Sequence, residues 1–135
     1  MKKTQIITII LAILFLNIFN FSKEGEKWIR KPLKFTRNER TLTVKGTVLA
    51  KKLVYCYEFK GRKNQHITIS ITSDQNNSSF VLSEQDGDPF PYTQNPDGGV
   101  YVRSYSGVLF TSTIHEICVN SDRGKSNYTL QVALK

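Results

Sequence analysis

Histidine is nearly missing from this 135-residue chain, with His66 and His115 the only two. Hydrolytic chemistry needs a nucleophile within hydrogen-bond reach of a base, and the base needs an orienting partner. His66 opens an alternating run beside a turn, and His115 shares the phase of Ile117 and Val119, which points into a core. No GxSxG or HExxH pattern is present. The chain is read as a non-enzyme that needs no cofactor.

Cysteine is equally sparse. None lies near the end of the amino-terminal apolar run, so lipid attachment there has no acceptor. The two that exist, Cys56 and Cys118, are 62 positions apart. In an oxidising compartment an even pair suggests one bridge. Cys56 is out of phase with Tyr55 and Tyr57, and Cys118 with Ile117 and Val119, so both thiols are expected on outer sheet faces. If their strands are neighbours they bridge; otherwise both are free.

Long apolar runs are absent beyond position 21. Lys2 and Lys3 precede an apolar stretch over 6–21 broken only by Thr8, Asn17 and Asn20, the charge-then-apolar order of a secretory signal. A stable membrane span wants about 20 apolar residues, and the clean part here covers only 6–16. Residues 1–22 are read as a signal segment and the protein as exported, periplasmic or secreted. The alternative is an uncleaved anchor, because Ser22 is the only small residue near the expected cut; in that case alone would the chain touch a membrane.

Acidic residues are outnumbered, 11 against 19 basic. Without Lys2 and Lys3 the basic count falls to 17, leaving +6. The charge is lopsided: residues 23–63 hold 13 basic and 4 acidic side chains, residues 64–135 only 4 and 7. Such a field favours an anionic partner such as envelope polysaccharide or an acidic protein surface, although a solvated basic face also keeps a domain soluble. Nucleic acid is not expected, since aromatic and basic residues fall in different segments instead of interleaving.

Helical periodicity and internal repeats are also lacking. Residues 23–40 form a charged lead-in in which Pro32 argues against a helix, and an extended arm joining a sheet edge is expected. Tyr55, Tyr57 and Phe59 alternate, as do Ile67, Ile69 and Ile71 across a polar turn, which reads as a β-hairpin. Tyr128, Leu130, Val132 and Leu134 repeat the pattern after a turn-rich stretch over 120–127. Strands are expected over 42–49, 53–59, 66–73, 80–84, 100–103, 106–110, 114–120 and 128–134. Eight short strands with such turns point to an all-β, antiparallel, jelly-roll-like β-sandwich over 41–135.

Four stretches carry a family resemblance: TLTVKGTVLAKKLVYCYEF from Thr41, GRKNQHITISI from Gly61, SSFVLSEQDGD from Ser78, and SGVLFTSTIHEICVNSDRGKSNYTLQVALK from Ser106. Together they resemble the bacterial pre-peptidase C-terminal domain and, within it, the small periplasmic inhibitors of g-type lysozyme. The likeness runs over about 95 residues. It implies a jelly-roll-like sandwich and an extracytoplasmic protein partner, a lysozyme, met by loops at its active-site cleft. The family's Ser-Gly-Asp-Tyr turn is replaced here by Thr111-Ser112-Thr113-Ile114-His115, and only Arg123 and Lys125 stand in its arginine-rich closing loop.

Partner-binding candidates come from the turn-rich segment over 86–105, where Phe90, Tyr92, Tyr101 and Tyr105 accompany Arg103. Interfaces enrich tyrosine and arginine, although alternate members of such a strand also face a core. Tyr92, Tyr101, Arg103, Tyr105, Arg123 and Lys125 are the expected contact residues. Asp86, Asp88 and Asp97 offer oxygen donors of the kind calcium takes, and some pre-peptidase domains are linked with calcium. Their spacing does not fit the EF-hand loop, and Asp-Gly-Asp-Pro serves equally as a plain turn, so no metal is assigned.

Overall fold

Tyr57, Phe59, Ile67 and Ile69 are all buried in one apolar interior, as the period-two alternation requires. They meet there from opposite layers. The computed structural model describes residues 25–38, 40–85, 92–94 and 98–135, so the segment 1–22 expected to be a signal, Phe90 and the aspartates Asp86, Asp88 and Asp97 lie outside the described residues. Eight strands run in chain order: β1 (Lys27–Pro32), β2 (Thr41–Leu49), β3 (Leu53–Lys60), β4 (His66–Ser73), β5 (Ser78–Glu84), β6 (Ser104–Val108), β7 (Ile114–Ser121) and β8 (Lys125–Leu134).

Pairing sorts these strands by parity. The odd strands form one layer in the order β1-β3-β7-β5, the even strands the other in the order β2-β8-β4-β6. Every connection therefore crosses from one layer to the other, the jelly-roll way of building a sandwich. The layers join at one corner through the single pair Leu49↔Leu53. They are sewn again at the far edge by residues 102–103. There Val102 exchanges two backbone hydrogen bonds with Phe80 of β5, and Arg103 accepts one from Ile71 of β4.

Two expectations are corrected. The run over 54–71 is not a hairpin, because β3 pairs with β1 and β7 while β4 pairs with β6 and β8. The turn 61–65, with Asn64 at φ 74°, carries the chain over the end of the sandwich. The closing pair β7 and β8 is parted in the same way by the turn at Asp122–Gly124, where Gly124 takes φ 58°. Alternation states which side chains point inward; it does not state which strand lies alongside. The strand expected over 100–103 shrinks to the one bridge at Val102.

The lead-in supplies β1, which pairs with β3 in parallel, unlike every other pair in the fold. Arg30 reaches across the outer face to Glu58 (3.3 Å) and Glu116 (2.6 Å), and the Lys31 ammonium sits 5.2 Å from the centre of the Tyr55 ring. Cys56 and Cys118 are register partners on that same outer face, their Cα atoms 4.0 Å apart, and they form a disulfide. Val54 and Val81 pack against it, so the bridge is buried even though it faces away from the core.

Inside, Tyr57 from the odd layer and Tyr128 from the even layer hydrogen-bond through their hydroxyls. Tyr128 lies across Gly46, where an added Cβ would come within 2.4 Å of the phenolic oxygen. Burial pushes both phenols above their usual range, and the bond to Tyr57 pushes Tyr128 further.

Three outcomes follow from this core. Reducing the Cys56–Cys118 bridge, which closes a 62-residue separation, should lower stability by about 4 kcal/mol in the chain-entropy account; urea midpoints with and without reductant measure it. Gly46→Ala should cost about 1–3 kcal/mol by overpacking against Tyr128, read in the same titration. Both tyrosines hold their protons more tightly when folded, so their contribution is complete below pH 10.0, their ordinary value, and is lost as pH rises through the folded values. A midpoint that stays flat above pH 10 would contradict that coupling.

Candidate functional site

At the end of the sandwich where β3, β5 and β8 finish, the turn 61–65 and the loop 109–113 are laced together. Asn64 donates to the Leu109 carbonyl (2.9 Å), Leu109 to the Gln65 carbonyl (2.9 Å), and Gly61 to the Thr113 carbonyl (3.0 Å). The Lys63 amide donates to Ser112 Oγ (2.9 Å), and the Arg62 amide to Gln65 Oε1 (2.7 Å). Two connecting segments that would ordinarily be independent become one ridge. On its crest stands Phe110, 66% exposed.

Tyr92 fixes that crest. Its ring stacks on Phe110 with centroids 4.6 Å apart, its hydroxyl accepts from the Phe110 amide (2.9 Å), and it donates to Glu84 Oε1 (3.1 Å). Thr111 Oγ1 donates to the same carboxylate oxygen at 2.6 Å. Burial, partly offset by the Phe110 amide, raises the Tyr92 phenol above its usual range. His115 lies beneath, fully buried against Phe59, with Nδ1 2.9 Å from the Thr113 carbonyl and Nε2 3.3 Å from the Tyr92 hydroxyl. Both ring nitrogens are occupied by groups that hold the ridge.

The same end gathers positive charge. Lys60, Arg62, Lys63 and Lys135 cap the strands, and Lys34, Arg37 and Arg40 come from the segment between β1 and β2. Among the described residues the ion pairs involve only Arg30 and Arg103, and none of these seven basic side chains takes part in one. Beside the ridge, Lys34, Lys60 and Arg62 border a groove of about 700 Å3 floored by Leu33, Phe35 and Leu134.

The contact residues expected from sequence are divided between the two ends. Tyr92 is at the ridge. Tyr101 and Arg103 line a separate groove of about 430 Å3 at the opposite end, together with Ser79, Val102 and Asp122. Arg103 is engaged there by Asp122 Oδ2 (3.1 Å) and the Asn76 carbonyl (2.6 Å), and Arg123 donates to the Gln75 carbonyl (3.2 Å). Lys125 starts β8 opposite Leu49. Tyr105 folds over Gly107 and packs on the core. Phe110, Arg62 and Lys63 were not among the expected residues. The signal for Phe110 was its place immediately before Thr111-Ser112-Thr113, which leaves an aromatic at the mouth of a polar loop. Cys56, Glu116 and Cys118 cluster closely enough to suggest a metal, but the two sulfurs are bonded to each other and offer no thiolate pair.

Compared by sequence, the chain matches no family model and no curated protein. By fold it is similar to Aeromonas hydrophila PliG, a periplasmic lysozyme inhibitor of g-type lysozyme, with a TM-score of 0.68 and 18% identity over 82% of this chain and 99% of that one. Salmonella Typhimurium PliG, also an inhibitor of g-type lysozyme, gives a TM-score of 0.58 and 15% identity over 79% and 98%. The pre-peptidase C-terminal domain of a Bacillus anthracis collagenase gives 0.54 and 17% over 82% and 96%. At such identities the likeness is one of fold: this chain has the sandwich of the lysozyme inhibitors and of the pre-peptidase domain.

Because one hydroxyl holds both Phe110 and Glu84, Tyr92→Phe should loosen the crest locally, at a cost of about 1 kcal/mol. Hydrogen exchange at the Phe110 amide should accelerate while β3 and β7 amides keep their protection. Unchanged exchange at Phe110 would show that the loop is held without Tyr92.

Proposed function

We propose that this chain is an exported, non-enzymatic binding domain that inhibits a g-type lysozyme by seating the Phe110 ridge in its active-site cleft. The observation that carries the reading is the ridge itself: pinned by backbone hydrogen bonds, tipped by an exposed aromatic and flanked by cations that enter no ion pair among the described residues. Glycosidase clefts are built around a pair of carboxyl groups, so an aromatic-tipped basic projection complements one in both shape and charge. Preorganisation limits the ordering cost of binding. The three-dimensional likeness to two inhibitors of g-type lysozyme supports the same partner class. Export is supported by the disulfide, which persists in oxidising compartments, and residues 1–22 would serve as the signal.

A second reading rests on the seven basic side chains gathered at this end, none in an ion pair among the described residues: docking on an anionic envelope polysaccharide. It differs in requiring no lysozyme and in weakening with salt.

The inhibitor reading is tested by titrating purified protein into a g-type lysozyme acting on a peptidoglycan suspension. Lysis should stop near one equivalent. Phe110→Ala should weaken inhibition at least tenfold, as expected for a central aromatic anchor, with an unchanged melting temperature. Full lysis in the presence of excess protein would overturn the reading.

A further inference from the structure

The groove beside the ridge has a composition that the inhibitor reading does not use. Its floor is short and apolar: Leu33 and Leu134 are 7% and 8% exposed, and Phe35 stands edge-on to Phe59 with centroids 6.3 Å apart. Its rim is cationic, formed by Lys34, Lys60 and Arg62. No ion pair among the described residues neutralises any of the three. The rim is also held in place. Leu33 donates to the Glu58 carbonyl (2.7 Å), Lys60 is in register with Ile114, and the Arg62 amide is closed onto Gln65.

We infer that this groove binds an anionic glycan, a chain of sugar rings bearing carboxylate or phosphate groups. The inference rests on the polysaccharide reading above and gives it a location. An apolar floor of this size takes the hydrophobic face of a sugar ring but is too short for an acyl chain, which gains its affinity methylene by methylene. Three cations bordering that floor match charges repeating along a polymer. The groove volume of about 700 Å3 is within the range of small-molecule sites, enough for a few sugar units with the chain continuing along the basic end.

Binding of a decameric oligogalacturonate to the full chain, followed by calorimetry at low and at raised salt, tests the assignment. Lys34→Ser with Lys60→Ser should weaken binding at least tenfold. The charge-matched control Lys45→Ser with Lys51→Ser, on β2 and the turn after it, should change it by less than threefold. Phe35→Ala should weaken binding further without steepening the salt dependence, because its contribution is contact with the ring. Equal losses from the two double variants would replace the groove by a diffuse basic field, overturning the site but keeping the polysaccharide reading. Polyglutamate binding as tightly as oligogalacturonate would overturn the sugar specificity, and no binding of oligogalacturonate at low salt would overturn both the site and the reading beneath it.

Discussion

The constraint on which the rest depends is that consecutive strands never share a layer. After each strand the chain passes to the other layer, so the side chains of β3 reach those of β4 face to face while the backbones pair with distant partners. Stability is therefore concentrated in contacts between segments far apart in sequence. Such contacts form late, because loop-closure entropy must be overcome before they add anything. The Cys56–Cys118 bond and the Tyr57–Tyr128 hydrogen bond each close such a distance, 62 and 71 positions. One ties the central strands of the odd layer, and the other ties that layer to its opposite.

Crossing at every step also decides where function can reside. Both ends of the sandwich are made wholly of crossing segments, and backbone polar groups in such segments need partners. At one end the partners are polar side chains. Asn77 Nδ2 donates to the Arg123 and Lys125 carbonyls, and Arg103 and Asp122 complete the closure. That end is rich in polar groups, most of them engaged internally. At the other end the crossing segments 61–65 and 109–113 satisfy each other, largely backbone to backbone, and Phe110 stands exposed on them.

Much of the fold was legible and the site much less so, for a common reason. Period-two alternation assigns faces: it placed Tyr57, Phe59, Ile67 and Ile69 inward and put Cys56 and Cys118 on the opposite phase, where they are found bonded. Pairing depends on connections, and GRKNQ reads equally well as a hairpin turn or as a passage over the end of the sandwich. The positive φ of Asn64 suits either. Tyr92 and Tyr101 were neighbours in sequence only: Tyr92 reaches Phe110 and Glu84 at the ridge, whereas Tyr101 lines the groove at the other end with Arg103 and Asp122. Phe110 gains importance solely from Tyr92 beneath it, a contact across 18 positions that no local pattern encodes.

The position of His115 shows how a loop can replace local sequence signals with tertiary support. A loop of Thr111, Ser112 and Thr113 has weak conformational preferences and would be expected to fluctuate. Here Thr111 is held by Glu84, Ser112 accepts from Lys63, and the Thr113 carbonyl accepts from Gly61 and faces His115 Nδ1. Gly61 must lack a side chain for this to work, because a Cβ there would meet Leu109 Cδ1 at 2.4 Å and His115 Nδ1 at 2.9 Å. The turn that carries Arg62 and Lys63 and the loop that carries Phe110 thus share one support.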